Sequence, residues 1–168
     1  MYRSCAEFIT EDLLARFEPA IARAQAVLDA GADKAELIDA FLALQEVTLE
    51  EVLLKPHTAA SRKQFIVREL AGGERSHASK QLQRRLRQPL NKVSIALLSR
   101  LAGTGEDDPV ARIRLMTLRG QAMPLYHMPG NALELLGWKD IDPAKAALLK
   151  RTIVEQTRVL LEYWAGLR

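Results

Sequence analysis

The stretch from Asp107 to Met128 carries two apolar stripes where an ordinary surface helix carries one. One stripe contains Val110, Ile113, Met116, Gly120 and Met123, and the other contains Leu115, Leu118, Ala122 and Leu125. A helix with a single buried face needs only one such stripe. We therefore predict that one stripe faces the core of the domain and that the other meets a second surface.

The last part of the chain holds a second candidate for an interface. Asp142 followed by Pro143 predicts a helix start, because aspartate caps a first turn and proline suits the first helical position. The helix then runs to about Gly166, roughly 24 residues or about 36 Å. Side chains suited to lateral pairing recur along it at helical spacing: Leu149, Ile153, Gln156, Leu160 and Trp164.

The composition favours helix throughout the chain. Hydrophobic residues make up 48% of the 168 residues and aromatic residues only 5%, and the apolar residues are mostly Ala and Leu. We predict an all-α fold in one domain over residues 1–168. The other predicted helices cover 2–28, 33–54, 58–70, 75–102 and 131–136. Pro19 is expected to bend or break the first of these, Pro89 to kink the fourth, and Pro124 to interrupt the helix over 107–128.

Charge and cysteine content exclude several classes of protein. The chain has 24 basic and 21 acidic residues, a formal net charge of only +3, which is too little to predict nucleic-acid binding. The densest basic run, over residues 80–87, has leucines at helical spacing and indicates a solvated helix face. Cys5 is the only cysteine, and no apolar run has the length of a membrane span or the pattern of a secretory leader. We expect a soluble, cytoplasmic protein.

No motif predicts catalysis. His57, His77 and His127 lie in different segments without the spacing of metal ligands. Gly-x-Ser-x-Gly, glycine-rich phosphate loops and Gly-x-Gly-x-x-Gly do not occur in the sequence. We therefore expect no enzyme activity, no metal and no cofactor. A small helical enzyme would require Glu69, Tyr126 and His127 to converge, which their order in the chain does not establish.

Polar side chains embedded in apolar helices have two interpretations. Buried polar groups need hydrogen-bond partners, and the simpler interpretation is that they satisfy one another or the nearby backbone. The functional interpretation is an apolar cavity between helices in which a few polar groups orient a small ligand. The polar side chains in question are Gln45, Thr48, Arg68, Glu69, Gln121, Tyr126 and His127, and Met116, Met123 and Met128 are adaptable candidates for the lining.

Several stretches together carry a resemblance to a known family. They are residues 65–70 (Phe-Ile-Val-Arg-Glu-Leu), residues 87–90 (Arg-Gln-Pro-Leu), and residues 108–121, 135–138 and 141–143. The chain resembles the C-terminal ligand-binding and dimerisation domain of tetracycline-repressor (TetR) family regulators, particularly the CerR-like subgroup. The first stretch resembles the mid-domain helix of that domain, the second its proline-containing helix, and the last three its closing half. The resemblance covers nearly the whole chain, through diffuse helical motifs rather than a catalytic signature.

The resemblance implies a homodimer. In it, the helices over 107–128 and 142–167 pair with their symmetry mates as a four-helix bundle, which agrees with the two-striped helix described above. The interface residues expected from it are Leu115, Leu118, Ala122, Leu125, Leu149, Ile153, Leu160 and Trp164.

The resemblance also implies an effector pocket. The helices over 33–54, 58–71, 75–102 and 107–128 would enclose it, and a small apolar or amphipathic molecule bound there would control DNA binding by the parent protein. The expected ligand contacts are Phe41, Gln45, Thr48, Phe65, Glu69, Leu90, Met116, Gln121, Tyr126 and His127.

Regulators of this family bind DNA through an N-terminal helix-turn-helix, and residues 1–3 fall where the family's first linking helix begins. We therefore expect the effector-sensing and dimerisation domain of a bacterial repressor, with the DNA-binding domain absent from this chain through truncation or by nature. The alternative is a helical protein-interaction module that uses the same C-terminal surface and has no ligand cavity. An isologous homodimer favours the first, and a monomer with an exposed apolar patch favours the second.

Overall fold

The computed structural model describes residues 2–53 and 77–167, with residues 2–7, 9, 77–79 and 126 described through their backbone alone. These residues form helices and connecting turns without a strand, so the all-α prediction is confirmed for them. None of their helices combines the length and the apolar character needed to cross a membrane. The helices are α1 (Tyr2–Asp29), α2 (Lys34–Leu53), α3 (His77–Leu82), α4 (Gln88–Ala102), α5 (Pro109–Gly120), α6 (Met123–His127), α7 (Pro129–Leu136) and α8 (Pro143–Trp164). The helix predicted over 58–70 lies outside the described residues.

Aspartate caps set the starts of three helices. Asp33 Oδ1 accepts from the backbone N–H of Glu36 at 2.9 Å, and Glu36 Oε2 accepts from the N–H of Asp33 at 3.3 Å, a reciprocal capping box at the start of α2. Asp108 accepts from the N–H of Val110 at 2.9 Å, and Asp142 accepts from the N–H of Lys145 at 2.8 Å. Because a proline follows each of the last two caps, the Asp-Pro starts predicted for α5 and α8 are confirmed.

The prolines act differently according to their position. Pro19 lies on the exposed side of α1, which continues through it unbroken, because water can satisfy the carbonyl that loses its partner there. Before Pro89, a π-helical turn over Gln83–Arg87 joins α3 to α4 in one continuous run. Pro124 belongs to a real interruption, since the single helix predicted over 107–128 is divided into α5 and α6.

The main core lies between α1, α2, α4, α5 and α8. Ala24, Leu97 and Leu161 are fully buried at its centre, and Phe41 and Leu115 are buried beside them. The helix α2 occupies the middle of this arrangement and packs against α1, α4 and α8. Since α2 buries residues on more than one face, it is the element around which the others are placed.

The helices α2 and α8 run antiparallel along each other. At one end, Lys34 Nζ donates to the carbonyl of Ala165. Further along, Arg158 Nη2 lies 2.9 Å from Asp39 Oδ1, and at the other end Lys150 Nζ lies 2.9 Å from Glu50 Oε1. These contacts set the register of α8 against α2. The same helix also reaches the polar groups of the candidate site.

Candidate functional site

A cleft opens between α2, α4 and α5. The space inside it that water can enter is about 40 Å³, and the empty volume including its solvent-open mouth is about 430 Å³. The enclosed part holds on the order of a few water molecules, so a larger ligand would extend into the mouth. The lining side chains are Phe41, Leu44, Gln45, Thr48, Leu49, Leu90, Ser94, Leu115, Leu118, Arg119 and Ala122.

Most of this lining is apolar, and two of its polar groups are occupied locally. Thr48 Oγ1 donates to the carbonyl four residues earlier in α2 at 2.9 Å, and Ser94 Oγ does the same in α4 at 2.7 Å. Such bonds use the hydroxyl donor within its own helix. Gln45 and Arg119 are therefore the lining groups with the greatest capacity to bind a polar ligand atom.

The side chain of Gln45 connects the cleft to α8 and leaves one atom without a partner. Its Nε2 donates to Thr157 Oγ1 at 2.8 Å, and the Thr157 hydroxyl in turn donates to Gln121 Oε1 at 3.2 Å. The Oε1 atom of Gln45 is buried and has no hydrogen-bond partner among the described residues. A buried acceptor of this kind is costly unless a donor reaches it, which makes it a candidate contact for a bound molecule.

Arg119 brings a positive charge into the apolar cleft. Its Nη1 donates to Asn91 Oδ1 at 2.5 Å, and no carboxylate of the described residues lies within salt-bridge distance of it. Burial of the guanidinium lowers the pKa of Arg119 below its ordinary value, and repulsion by Arg87 lowers it further. The cation is nonetheless retained at neutral pH because an arginine starts from so high a pKa.

The structure brings together part of the expected ligand set. Phe41, Gln45, Thr48 and Leu90 all line the cleft. Gln121 is not a lining residue, but it is connected to Gln45 through Thr157. Phe65, Glu69 and the side chain of Tyr126 lie outside the described residues.

Two expected ligand residues lie away from the cleft. Met116 is 65% exposed on the outer side of α5 and His127 is exposed at the end of α6, so neither lines it. Both were expected to contact the ligand because the resemblance implies that the helix over 107–128 encloses the pocket. The break after Gly120 and the rotation of α5 instead direct Leu115, Leu118, Arg119 and Ala122 into the cleft. Arg119 was missed because a charged residue beside an apolar stripe is ordinarily solvated.

The stripe of α5 that faces outward is the opposite of the one expected at the interface. Leu115 and Leu118 are only 6% and 3% exposed and belong to the main core, and Ala122 is buried as well. These three side chains therefore pack inside the protomer, and their assignment to the dimer interface stays a prediction. The exposed apolar side chains are those of the other stripe: Val110, Ile113, Met116 and Met123.

The helix α8 is divided in a similar way between an inner and an outer face. Ile153 is buried in a cluster that Leu149 and Leu125 pack against, and Trp164 packs against the main core. Ile153 is thus buried, whereas Leu125, Leu149 and Trp164 are partly exposed, and the assignment of these four residues to the interface stays a prediction. Leu160, the remaining expected residue on α8, is exposed. The outer apolar set on this helix is Leu148, Val159, Leu160 and Tyr163.

Two side-chain contacts connect α5 and its C-terminal cap to α8. The guanidinium carbon of Arg114 lies 4.6 Å from the centre of the Trp164 ring, and Gln121, which follows the end of α5, accepts from Thr157 of α8. The two contacts occur in opposite order along the two helices, so the helices run in opposite directions and meet through these side chains. The exposed apolar side chains of α5, α6 and α8 are here together called the outer face.

Metal chemistry has no support in the described part of the chain. Over residues 2–53 and 77–167, no three His, Cys, Asp or Glu side chains gather into a group that could hold a metal ion.

Comparison with known proteins identifies the family. Residues 36–163 match the family model described as the C-terminal domain of the HTH-type transcriptional dual regulator CecR. The chain belongs to this family. CecR is a TetR-type regulator, so the predicted TetR resemblance is confirmed and the subgroup is that of CecR. A search of curated proteins finds no match to the chain.

The match to the CecR C-terminal domain includes both features described above. Every lining residue of the cleft falls within residues 36–163, as do all of α5 and α8 up to Tyr163. The CecR C-terminal domain is part of a transcriptional regulator and not a class of enzyme. Fold and family together place the chain in transcription regulation.

Proposed function

We propose that this chain is the effector-sensing and homodimerisation domain of a TetR-type transcriptional repressor. The observation that carries the proposal is the apolar cleft in which the buried Gln45 Oε1 has no partner among the described residues while Gln45 Nε2 donates to Thr157 of α8. The effector is a small apolar or amphipathic molecule that occupies the cleft between α2, α4 and α5. DNA binding belongs to a helix-turn-helix of the parent regulator and not to the residues described here.

The hydrogen-bond chain supplies a physical route from the cleft to the outer face. Gln45 lies in the cleft, Thr157 lies on α8, and Gln121 follows the end of α5. A ligand that bonds to Gln45 would move the Gln45 side chain, and with it the Nε2 atom that donates to Thr157. Both α5 and α8 would therefore respond to the same event, which is what coupling between an effector site and a dimer requires.

The outer face supports assembly with a second copy. Ile113, Met116 and Tyr163 are each more than half exposed, and a four-helix bundle formed by two copies would bury such side chains of α5 and α8 between the copies. A two-fold axis would place the same face of a partner against it, as in most homodimers.

Native mass spectrometry of the purified chain tests both parts of the proposal. We expect a dimer of about twice the protomer mass of 18.8 kDa, with a retained small molecule in part of the population. Ala122→Leu, which fills the cleft, should abolish retention and keep the dimer, whereas Ala22→Leu on the exposed side of α1 should change neither. A monomer without ligand would overturn the proposal in favour of a protein-interaction module.

A further inference from the structure

Arg119 differs from the other arginines whose contacts are described. Arg16, Arg85 and Arg158 each have a carboxylate partner on the protein surface, and Arg114 lies over the Trp164 ring. Arg119 alone among these lines the cleft, and within the part of the chain that the structure describes its side chain donates to the neutral amide of Asn91.

The Arg119 guanidinium is partly buried in an apolar cleft, and it has no carboxylate partner among residues 2–53 and 77–167. The free-energy cost of removing a charge from water is offset only when an opposite charge or several hydrogen bonds replace the lost solvation. A guanidinium has five N–H donors, and the bond to Asn91 uses one of them. The remaining donors are arranged as a planar fork that matches a carboxylate.

The surroundings of Arg119 also favour an anion. Arg87, in the π-helical turn before α4, is close enough to interact with it electrostatically. The positive charge of Arg119, beside walls formed by Leu90, Leu115 and Leu118, raises the potential inside the cleft. An apolar acid would be attracted by the potential and held by the walls.

We infer, on the basis of the proposed function, that the effector is a small amphipathic acid whose carboxylate pairs with Arg119 and whose hydroxyl donates to Gln45 Oε1. A carboxylate accepts hydrogen bonds only, so it cannot satisfy the Gln45 oxygen, which requires a donor. The Arg119 guanidinium and the Gln45 oxygen, which has no partner among the described residues, are therefore complementary to two different groups of one ligand. Hydroxy acids and phenolic acids have this combination.

Matched probes test the inference on the purified chain at pH 7. The aromatic set is 4-hydroxybenzoate, benzoate, 4-hydroxybenzamide and benzamide, and the aliphatic pair is octanoate and octanamide. Calorimetry or ligand-observed NMR gives the dissociation constants. We expect each acid to bind at least about tenfold more tightly than its amide, since hydrogen bonds to charged groups exceed neutral ones by this order. We also expect 4-hydroxybenzoate to bind more tightly than benzoate.

Variants assign the preference to the two residues. Arg119→Gln should reduce the acid-over-amide ratio to about one, Arg119→Lys should retain part of it, and Arg112→Gln, an exposed arginine on the same helix, should leave it unchanged. Gln45→Met should remove the advantage of the 4-hydroxyl group and keep the acid preference. If Arg119→Gln does not fold, the acid-over-amide ratio of the unmodified chain, compared with that of Arg119→Lys, still tests the pairing with Arg119.

The outcomes separate the inference from the proposed function. Acids and amides that bind equally, or a preference that survives in Arg119→Gln, would overturn the acid effector while leaving the cleft as the ligand site. Absence of binding by every probe in both sets would overturn the acid effector and count against the cleft as an effector site as well.

Discussion

At the scale of single residues, one threonine connects the parts of the molecule that the proposed function requires. The Thr157 side chain is completely buried, accepts from Gln45 and donates to Gln121. A hydroxyl that both accepts and donates in a buried site is difficult to replace, because valine has the same shape but leaves both partners unsatisfied.

Thr157→Val should therefore lower the free energy of unfolding by roughly 1–3 kcal/mol, the cost of leaving buried polar groups without partners. Urea denaturation monitored by circular dichroism measures it. Thr152→Val, at an exposed position on the same helix, should change stability by less than about 0.5 kcal/mol. Equal effects of the two substitutions would show that the hydroxyl network does not contribute.

A second residue-scale prediction concerns pH. The backbone N–H of Lys145 donates to Asp142 and lowers the pKa of that carboxyl below its ordinary 3.8, and the Lys145 ammonium lowers it further. A carboxyl with a depressed pKa in the folded protein stabilises it above pH 3.8, and this contribution is lost as the pH falls through the depressed value. Asp142→Ala should thus lower the urea midpoint at pH 7, and its difference from the unmodified chain should shrink as the sample is acidified below 3.8. A difference that is constant over this range would contradict the capping role.

At the scale of elements, α8 has two apolar faces that serve different surfaces. Leu161 is fully buried in the main core, whereas its neighbour Leu160 is 36% exposed on the outer face. Adjacent residues of a helix point about 100° apart, so neighbouring leucines can serve different surfaces.

The pair Leu161→Ala and Leu160→Ala tests this division. Leu161→Ala should destabilise the protomer by about 2–5 kcal/mol, because it leaves a cavity in a packed core. Leu160→Ala should have a smaller effect, and that effect should depend on protein concentration because dimer dissociation contributes to it. Thermal melts at two protein concentrations separate the effect on the protomer from the effect on the dimer. A large loss of melting temperature in Leu160→Ala that does not depend on concentration would show that Leu160 does not belong to the outer face.

At the scale of the whole molecule, the outer face of α5 and α8 is the surface on which the proposed dimer depends. Each interface residue occurs twice in an isologous dimer, so one substitution introduces two changes. Ile113 is suited to a test, since it is 54% exposed and has no role in the protomer core.

Ile113→Glu should weaken the dimer by more than about tenfold, because two unpaired charges would enter a dry apolar interface. Sedimentation velocity at micromolar concentration measures the shift to monomer. Ala26→Glu, on the exposed side of α1, makes the same charge change elsewhere and should leave the dimer intact. Leu118→Glu, in contrast, should unfold the protomer because Leu118 is a core residue. A dimer that persists in Ile113→Glu would place the interface on another face.

Local chemistry was enough to predict much of this molecule. The Asp-Pro starts of α5 and α8 depend on hydrogen bonds between residues two or three positions apart. Bonds between such close neighbours can be predicted from the local sequence. Gln45 and Thr48, which line the cleft, could be recognised from the sequence as polar residues on an otherwise apolar helix face, whereas Phe41 was expected there through the family resemblance.

Helix rotation and long-range pairing could be decided only by the packed structure. Periodicity gives the angle between Leu118 and Ile113 on α5, but it does not say which of them faces inward. That choice follows from packing against α4 and the rest of the main core, which buries Leu118 and leaves Ile113 outside. The same rotation carries Arg119 into the cleft and brings Gln121 within hydrogen-bond distance of Thr157. A charge on the edge of a stripe is solvated or buried according to its neighbours in space, and those neighbours are set by tertiary packing.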